Sequence, residues 1–295
     1  MKIVLLGPGL MGSHIACEYA LGGHEVVTLA RRPDVASERI ERGFTTAREH
    51  GLATPEQIDA ARQRITIGED IDVATGAGII VESVVENLVE KKEALLPVIA
   101  RNPDAIVASN TSSIPITAIG AAIGAGERTV GAHYWNPPLL MPMVEVIRGD
   151  ETASDVVTEM TSTLRALGKR PVLVDRDVQG FAWNRLQLAL LREAVWLVEN
   201  GVASPATVDE IVRDGLARRW RYTGPFQTAA LGGAATFERV ANLLWPALST
   251  ATSLQDLRQW LDESPETTGP LRERRDQGLA ADMRADLARD RGAGS

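Results

Sequence analysis

The segment Gly7-Pro8-Gly9-Leu10-Met11-Gly12 constrains the fold of this chain more than any other. It follows a short apolar run, Lys2-Ile3-Val4-Leu5-Leu6, and opens a helical pattern from Met11 to Leu21. In that strand–turn–helix setting the glycine spacing reads as a dinucleotide-binding turn. Gly7 permits the tight turn, Gly9 lets the backbone approach a pyrophosphate, and Gly12 lets helix and strand pack closely. Leu10 and Met11 start the new helix, where unpaired amides and the positive dipole end favour a phosphate.

The residues that follow alternate short apolar runs with helical patterns, the signature of a parallel sheet flanked by helices. Strands are expected at Val26–Ala30, Ile65–Ile67, Gly78–Val81, Ala105–Ala108, Thr129–Tyr134, Met143–Ile147 and Arg170–Val174. Helices are expected from about Asp34 to His50, Asn87 to Arg101 and Ser154 to Leu167, with another beginning near Ile114. Thr54-Pro55-Glu56-Gln57 carries a cap, a proline at the first helical position and a glutamine at the third, so one more helix starts there.

Past Asp177 the strand signal stops. Trp183 to Asn200 has apolar residues on nearly every face, as in a helix buried in a domain or a subunit interface. Gly201 is a natural stop and Ser204-Pro205 a natural start for the next helix. The expectation is an α/β chain: an N-terminal Rossmann-type dinucleotide-binding domain over residues 1–177, then an all-helical substrate and dimerisation domain over 178–295. The polar, Arg/Asp-rich tail from Glu263 reads as a partly ordered helix of that second domain.

The bulk numbers fit two soluble domains. The chain has 295 residues with 44% hydrophobic and 24% charged, ordinary values for a globular protein. A net charge of −8 with no Lys/Arg block gives a nucleic-acid role no electrostatic support. Cys17 is the only cysteine, so no intrachain disulfide can form, which suits a reducing cytoplasm. Arg192 and Glu193 interrupt the longest apolar stretch, and the first one ends at a glycine turn, so neither a membrane span nor a secretory signal is expected. Scattered histidines and one cysteine give no metal-ligand spacing.

The chemistry-bearing constellation is His133-Tyr134-Trp135-Asn136-Pro137-Pro138, with Glu145 twelve residues after the histidine. An imidazole can take or give a proton near neutral pH, and a carboxylate behind the ring fixes its tautomer. Beside a nicotinamide this pair supports alcohol–ketone interconversion. His14, His24 and His50 lack such a context and read as structural. The end of the second strand bears on the cofactor. NAD sites usually carry an acidic residue there, whereas this chain has Ala30, Arg31 and Arg32. Removing the carboxylate and adding guanidinium groups favours a 2′-phosphate, so NADP is expected over NAD.

Over nearly its full length the chain resembles the 3-hydroxyacyl-CoA dehydrogenase family. The resemblance rests on the glycine turn, Val84-Val85-Glu86-Asn87-Leu88 with Lys91, Ser109-Asn110-Thr111-Ser112-Ser113, the His133 segment with Val144-Glu145, and Gly180-Phe181-Ala182-Trp183-Asn184-Arg185. It implies that His133 is the catalytic base and Glu145 its partner, with Ser112 and Asn184 donating to the reacting oxygen or the substrate carbonyl. It places Glu86, Lys91 and Asn110 against the cofactor. Within the family, Pro137 to Pro142 and Gly215 to Phe226 resemble the branch acting on small free hydroxy acids, such as gulonate and carnitine. Acyl-CoA members use a Ser and a Lys to meet the CoA, where this chain has Thr46 and Ala53. The expected function is NAD(P)-dependent interconversion of a 3-hydroxy and a 3-oxo group on a small acid or an acyl-CoA, in a cytoplasmic homodimer. The 3-hydroxybutyryl-CoA dehydrogenase reading and a non-catalytic nucleotide-binding scaffold are the alternatives.

Overall fold

A computed structural model describes residues 1–254 and 256–292, with side chains through Asp286. The chain divides into two compact units, Met1–Ala182 together with the segment from Gly269, and Trp183–Thr268.

The first unit is built on one eight-stranded sheet: β1 (Lys2–Leu6), β2 (Glu25–Leu29), β3 (Ile65–Gly68), β4 (Ile79–Glu82), β5 (Ile106–Ser109), β6 (Thr129–Tyr134), β7 (Met143–Arg148) and β8 (Arg170–Val174). Their spatial order is β3-β2-β1-β4-β5-β6-β7-β8. Pairings from β3 through to β6 are parallel, β7 runs antiparallel to β6, and β8 lies parallel to β7. The helices are α1 (Leu10–Leu21), α2 (Pro33–Glu49), α3 (Pro55–Arg62), α4 (Leu88–Arg101), α5 (Ile116–Ile123) and α6 (Ser154–Ala166).

Strand alternation splits the core into two layers. Ile3 and Leu5 of β1 join Ile15, Tyr19, Ile40, Phe44, Ile58, Met160 and Leu164 from α1, α2, α3 and α6. Val4 and Leu6 join Leu95, Val98, Ile119 and Ile123 from α4 and α5 on the other face. A sheet covered on both faces needs apolar residues at successive positions, which is why these strands read as unbroken apolar runs.

The capping box at Thr54 forms: Gln57 N donates to Thr54 Oγ1 and Thr54 N to Gln57 Oε1. Two local expectations shift. The helix near Ile114 starts at Ile116, after the turn-forming Pro115, and a short 3-10 turn at Ile71–Ala74 was not foreseen.

The second unit holds α7 (Trp183–Glu199), α8 (Pro205–Glu210), a π turn (Ile211–Leu216), α9 (Ala217–Trp220), α10 (Pro225–Gly232) and α11 (Ala234–Leu244). Ser204 caps α8, its Oγ accepting from Thr207 N. None of the α7 residues is buried within this chain, so its apolar surface is not consumed by an intrachain core. The last helix, α12 (Pro265–Gly292), differs from the expected tail of the helical domain, because from Gly269 onward it belongs to the first unit. Buried Ala280 and a bond from Arg284 Nη1 to His50 O (2.5 Å) anchor it there. No helix among the described residues is long and apolar enough to cross a membrane.

Candidate active site

The β6–β7 pairing sets His133 and Glu145 directly opposite each other. Cross-strand partners share one face of a sheet, and here His133 Nδ1 lies 2.7 Å from Glu145 Oε2. Both are buried, at 4% and 1% exposure, so the pair is shielded from solvent competition. Glu145 Oε1 accepts from Ala182 N (3.2 Å), and the Phe181 ring packs beside the imidazole with centroids 5.7 Å apart. The sequence spacing of twelve residues is therefore a hairpin register. Nδ1 is committed to the carboxylate, leaving Nε2 as the nitrogen for proton exchange.

The strands leading into the nucleotide turn deliver the other predicted residues. Gly7 has φ +80°, and a Cβ on it would lie 2.5 Å from Ser83 O, while one on Gly12 would lie 2.3 Å from Gly7 O. The turn is thus closed against β4 and α1 at positions only glycine fits. Nothing crowds Gly9 closer than 4.0 Å. A cavity of about 570 Å³ opens here, lined by Gly7, Gly9, Ala30, Arg31, Arg32, Arg39 and Ser83 among others. Its size and glycine floor fit the nucleotide half of a dinucleotide cofactor. Arg39, which the sequence reading passed over, donates from Nη1 to Pro8 O (3.2 Å) and so braces the turn.

Glu86 does more than the sequence suggested. Its Oε1 accepts from Thr111 Oγ1 (2.7 Å), Ser112 N (2.9 Å), Ser113 N (2.7 Å) and Ser113 Oγ (2.9 Å). Partial burial alone would raise this carboxyl's pKa. The hydrogen bond from Thr111, the Lys91 charge and the Ser113 donors outweigh it and bring the value down to about 2. Glu86 holds the Ser112 segment in place. Ile114 N donates to Thr111 Oγ1 (3.1 Å), so Thr111 supplies a cap-like bond ahead of the next helix. Ser112 itself stays exposed.

Lys91 was expected against the cofactor, yet its side chain is 1% exposed. The ammonium donates to Glu82 Oε1 (2.8 Å) and pairs with Glu86 Oε2 (3.2 Å). Ser109 Oγ takes the other Glu82 oxygen (2.6 Å). Lys91 therefore holds the two carboxylates of Glu82 and Glu86 together at this end of the sheet. Asn110 accepts from Tyr134 N (2.9 Å) and donates to Ser83 Oγ (3.1 Å). It ties the residue after His133 to the loop beside the nucleotide turn. Asn184 stands in the first turn of α7, in the second unit. Thr111 and Ser113 entered the sequence analysis only as members of a matching segment, with no role, and Glu82 not at all; for Glu82 the available signal was an acid ending an apolar strand.

Other reactive groups are accounted for. Cys17 is buried and its Sγ donates to Ile40 O (3.3 Å), with burial pushing the thiol pKa up, so it is no nucleophile. Burial lowers the pKa of both His14 and His24. Among the described residues no group of three or more His, Cys, Asp or Glu could hold a metal.

A glycine-turn cavity at the carboxyl ends of parallel strands, with a shielded imidazole–carboxylate pair in the same sheet, defines the nicotinamide-dependent oxidoreductase class. Profile comparison makes the assignment specific. Residues 2–178 match the 3-hydroxyacyl-CoA dehydrogenase NAD-binding domain and residues 180–268 match that family's C-terminal domain. The chain belongs to the 3-hydroxyacyl-CoA dehydrogenase family, whose members are NAD-dependent dehydrogenases of acyl-CoA or hydroxy acid substrates.

It is 38% identical over 257 residues to a 5-formyl-3-hydroxy-2-methylpyridine 4-carboxylate 5-dehydrogenase of Mesorhizobium japonicum, covering 84% of this chain and 81% of that one. It is 32% identical over 286 residues to an L-carnitine dehydrogenase of Oceanobacillus iheyensis, covering 94% and 89%. A crystal structure of a 5-formyl-3-hydroxy-2-methylpyridine 4-carboxylic acid 5-dehydrogenase, described as an NAD+-dependent dismutase, superposes with a TM-score of 0.86 at 32% identity, covering 96% and 97%.

Proposed function

We propose that the protein interconverts a hydroxyl and a carbonyl at the 3-position of a small free hydroxy acid, with His133 as general acid–base and Glu145 as its partner. The observation that carries this reading is the shielded 2.7 Å bond between His133 Nδ1 and Glu145 Oε2. Held as N–H toward the carboxylate, Nδ1 leaves Nε2 to take the hydroxyl proton in oxidation and return it in reduction. The Glu145 carboxylate stabilises the imidazolium formed in between. Ser112 and Asn184 donate to the reacting oxygen, the role the family resemblance gives them, with the Ser112 amide fixed by Glu86. Gly7, Gly9, Leu10, Met11 and Gly12 hold the pyrophosphate. A bound nicotinamide supplies the hydride acceptor.

Similarity to the pyridine carboxylate and carnitine dehydrogenases supports the free acid over the thioester. Thr46 Oγ1 is occupied with Arg42 O (3.0 Å) and Ala53 carries no cation, which also weighs against a CoA contact there. Turnover of free 3-hydroxy acids against 3-hydroxybutyryl-CoA decides the point. Activity on the thioester alone overturns the free-acid reading and leaves the relay standing. Replacing His133 by Gln lowers kcat by at least about 10²-fold with cofactor affinity retained. Near-normal turnover in that variant refutes the relay.

The preferred cofactor in this reading is NADP(H). Ala30 in place of a carboxylate, and Arg31 and Arg32 in the same cavity wall, support it. The expected kcat/KM is higher with NADP than with NAD, and Ala30→Asp reverses the order by repelling the 2′-phosphate. A wild-type preference for NAD removes this part of the proposal. The protein acts as a homodimer through its helical unit, supported by the uncovered apolar surface of α7 and its neighbours. A cytoplasmic setting suits the lone, reduced Cys17.

A further inference from the structure

We infer that Lys169 and Glu18 are positioning residues for the proton relay, tying the connection between β6 and β7 to the cofactor helix α1. This rests on the reading that His133 and Glu145 carry the proton.

The connection has a problem built into its sequence. Pro137, Pro138 and Pro142 have no N–H to give, so the segment cannot be held by a backbone ladder. Its internal bonds are Leu140 N and Met141 N to Pro137 O (3.0 and 3.1 Å) and a long one from Met141 N to Pro138 O (3.4 Å), and its far end is met by Arg170 N at Pro142 O (2.7 Å). Yet its two ends are the strands that set the relay register, His133 opposite Glu145. The Lys169 ammonium, buried just before β8, supplies what the prolines lack. It donates to Pro138 O (2.7 Å) and to Met141 O (2.9 Å), clamping the single 3-10 turn Pro138–Leu140 from both sides. Its remaining donor pairs with Glu18.

Glu18 lies on α1, about two turns past Gly12, the last glycine of the nucleotide turn. Burial pushes its carboxyl pKa up while the Lys169 charge pulls it down, and its second oxygen has no partner. A buried ion pair is an inefficient source of stability, since packed apolar side chains of similar volume serve as well or better. What they cannot do is aim three directional bonds at once. Here those bonds join the helix that begins at the phosphate site to the hairpin that carries the relay.

The test separates positioning from stability by removing both charges together. In the double variant Glu18→Leu/Lys169→Met no uncompensated charge remains, so the protein folds and most of the melting temperature is kept, the loss being that of the two carbonyl partners. Cofactor affinity, read by binding rather than turnover, also stays. With the hairpin released, kcat falls at least about tenfold, the scale of a sub-ångström misplacement of reacting groups. A double variant that folds and turns over within about twofold of the wild type overturns the inference.

If the double variant does not fold, hydrogen exchange on the wild-type protein decides. Exchange at the Leu140 and Met141 amides slows on adding cofactor if α1 and the connection are tied. Unchanged exchange there overturns the inference. A fully active His133→Gln enzyme overturns the relay reading instead, so the two failures are distinguishable.

Discussion

Glu86 shows how the charged residues of this site are spent on one another before any ligand arrives. One oxygen collects donors from Thr111, Ser112 and Ser113, and the other faces the Lys91 ammonium. The folded state therefore binds the ionised form better than the unfolded chain does. Its pKa falls from 4.5 to about 2, and a depressed carboxylate contributes stability that is fully present above the unfolded value and is lost as pH drops toward the folded one. Glu86→Gln is therefore less stable than the wild type at pH 6, and the gap narrows as pH falls below 4.5. Urea unfolding of both proteins from pH 6 to pH 3 checks this; a gap constant across that range contradicts it. The same variant loosens the Ser112 segment, so kcat drops at neutral pH while the β6–β7 pair is untouched.

At the scale of elements, β1, the nucleotide turn and α1 act as one piece. Adding a methyl at Gly12 brings it 2.3 Å from Gly7 O, a backbone atom that cannot step aside without opening the turn. Gly12→Ala is expected to raise the cofactor Kd at least about tenfold, because the helix N-terminus is pushed off the phosphate position. Titration of cofactor fluorescence measures it, and an unchanged Kd would mean that the turn does not carry the phosphate. This piece was legible in the sequence because its signals are local: a strand, three spaced glycines and a helix in one short run. The Thr54 capping box and the spacing from His133 to Glu145 were legible for the same reason.

Other elements left no such local trace. The reversal between β6 and β7 is silent, since strands buried on both faces show no alternation to distinguish their direction. Nothing in the sequence announces that Lys91 would be buried against Glu82, nine positions earlier. Arg39 looks like any exposed helix cation until the fold brings it against Pro8 O. The attachment of α12 to the first unit was hidden too, for its largely polar sequence carries no apolar stripe, and its anchors are single residues such as Ala280.

For the molecule as a whole, the decisive quantity is apolar surface that the single chain leaves uncovered. Phe226 is 90% exposed and Leu243 is 74% exposed. On α11 the side chains of Phe237, Val240 and Leu244 recur at helical spacing, and all three are exposed. Soluble monomers rarely carry apolar patches of this extent, and extended ones mark association sites. An isologous pairing of two helical units is the economical way to cover them, because a two-fold axis doubles every contact the face offers. The expected mass in sedimentation equilibrium at micromolar concentration is therefore twice that of the chain. Leu243→Glu sets two like charges into an apolar seam, where each would be buried without a partner. That variant is expected to sediment as a monomer, with a lower melting temperature that ceases to depend on protein concentration. A wild-type protein that stays monomeric at micromolar concentration, or a variant that dimerises as well as the wild type, places the association face elsewhere or removes it.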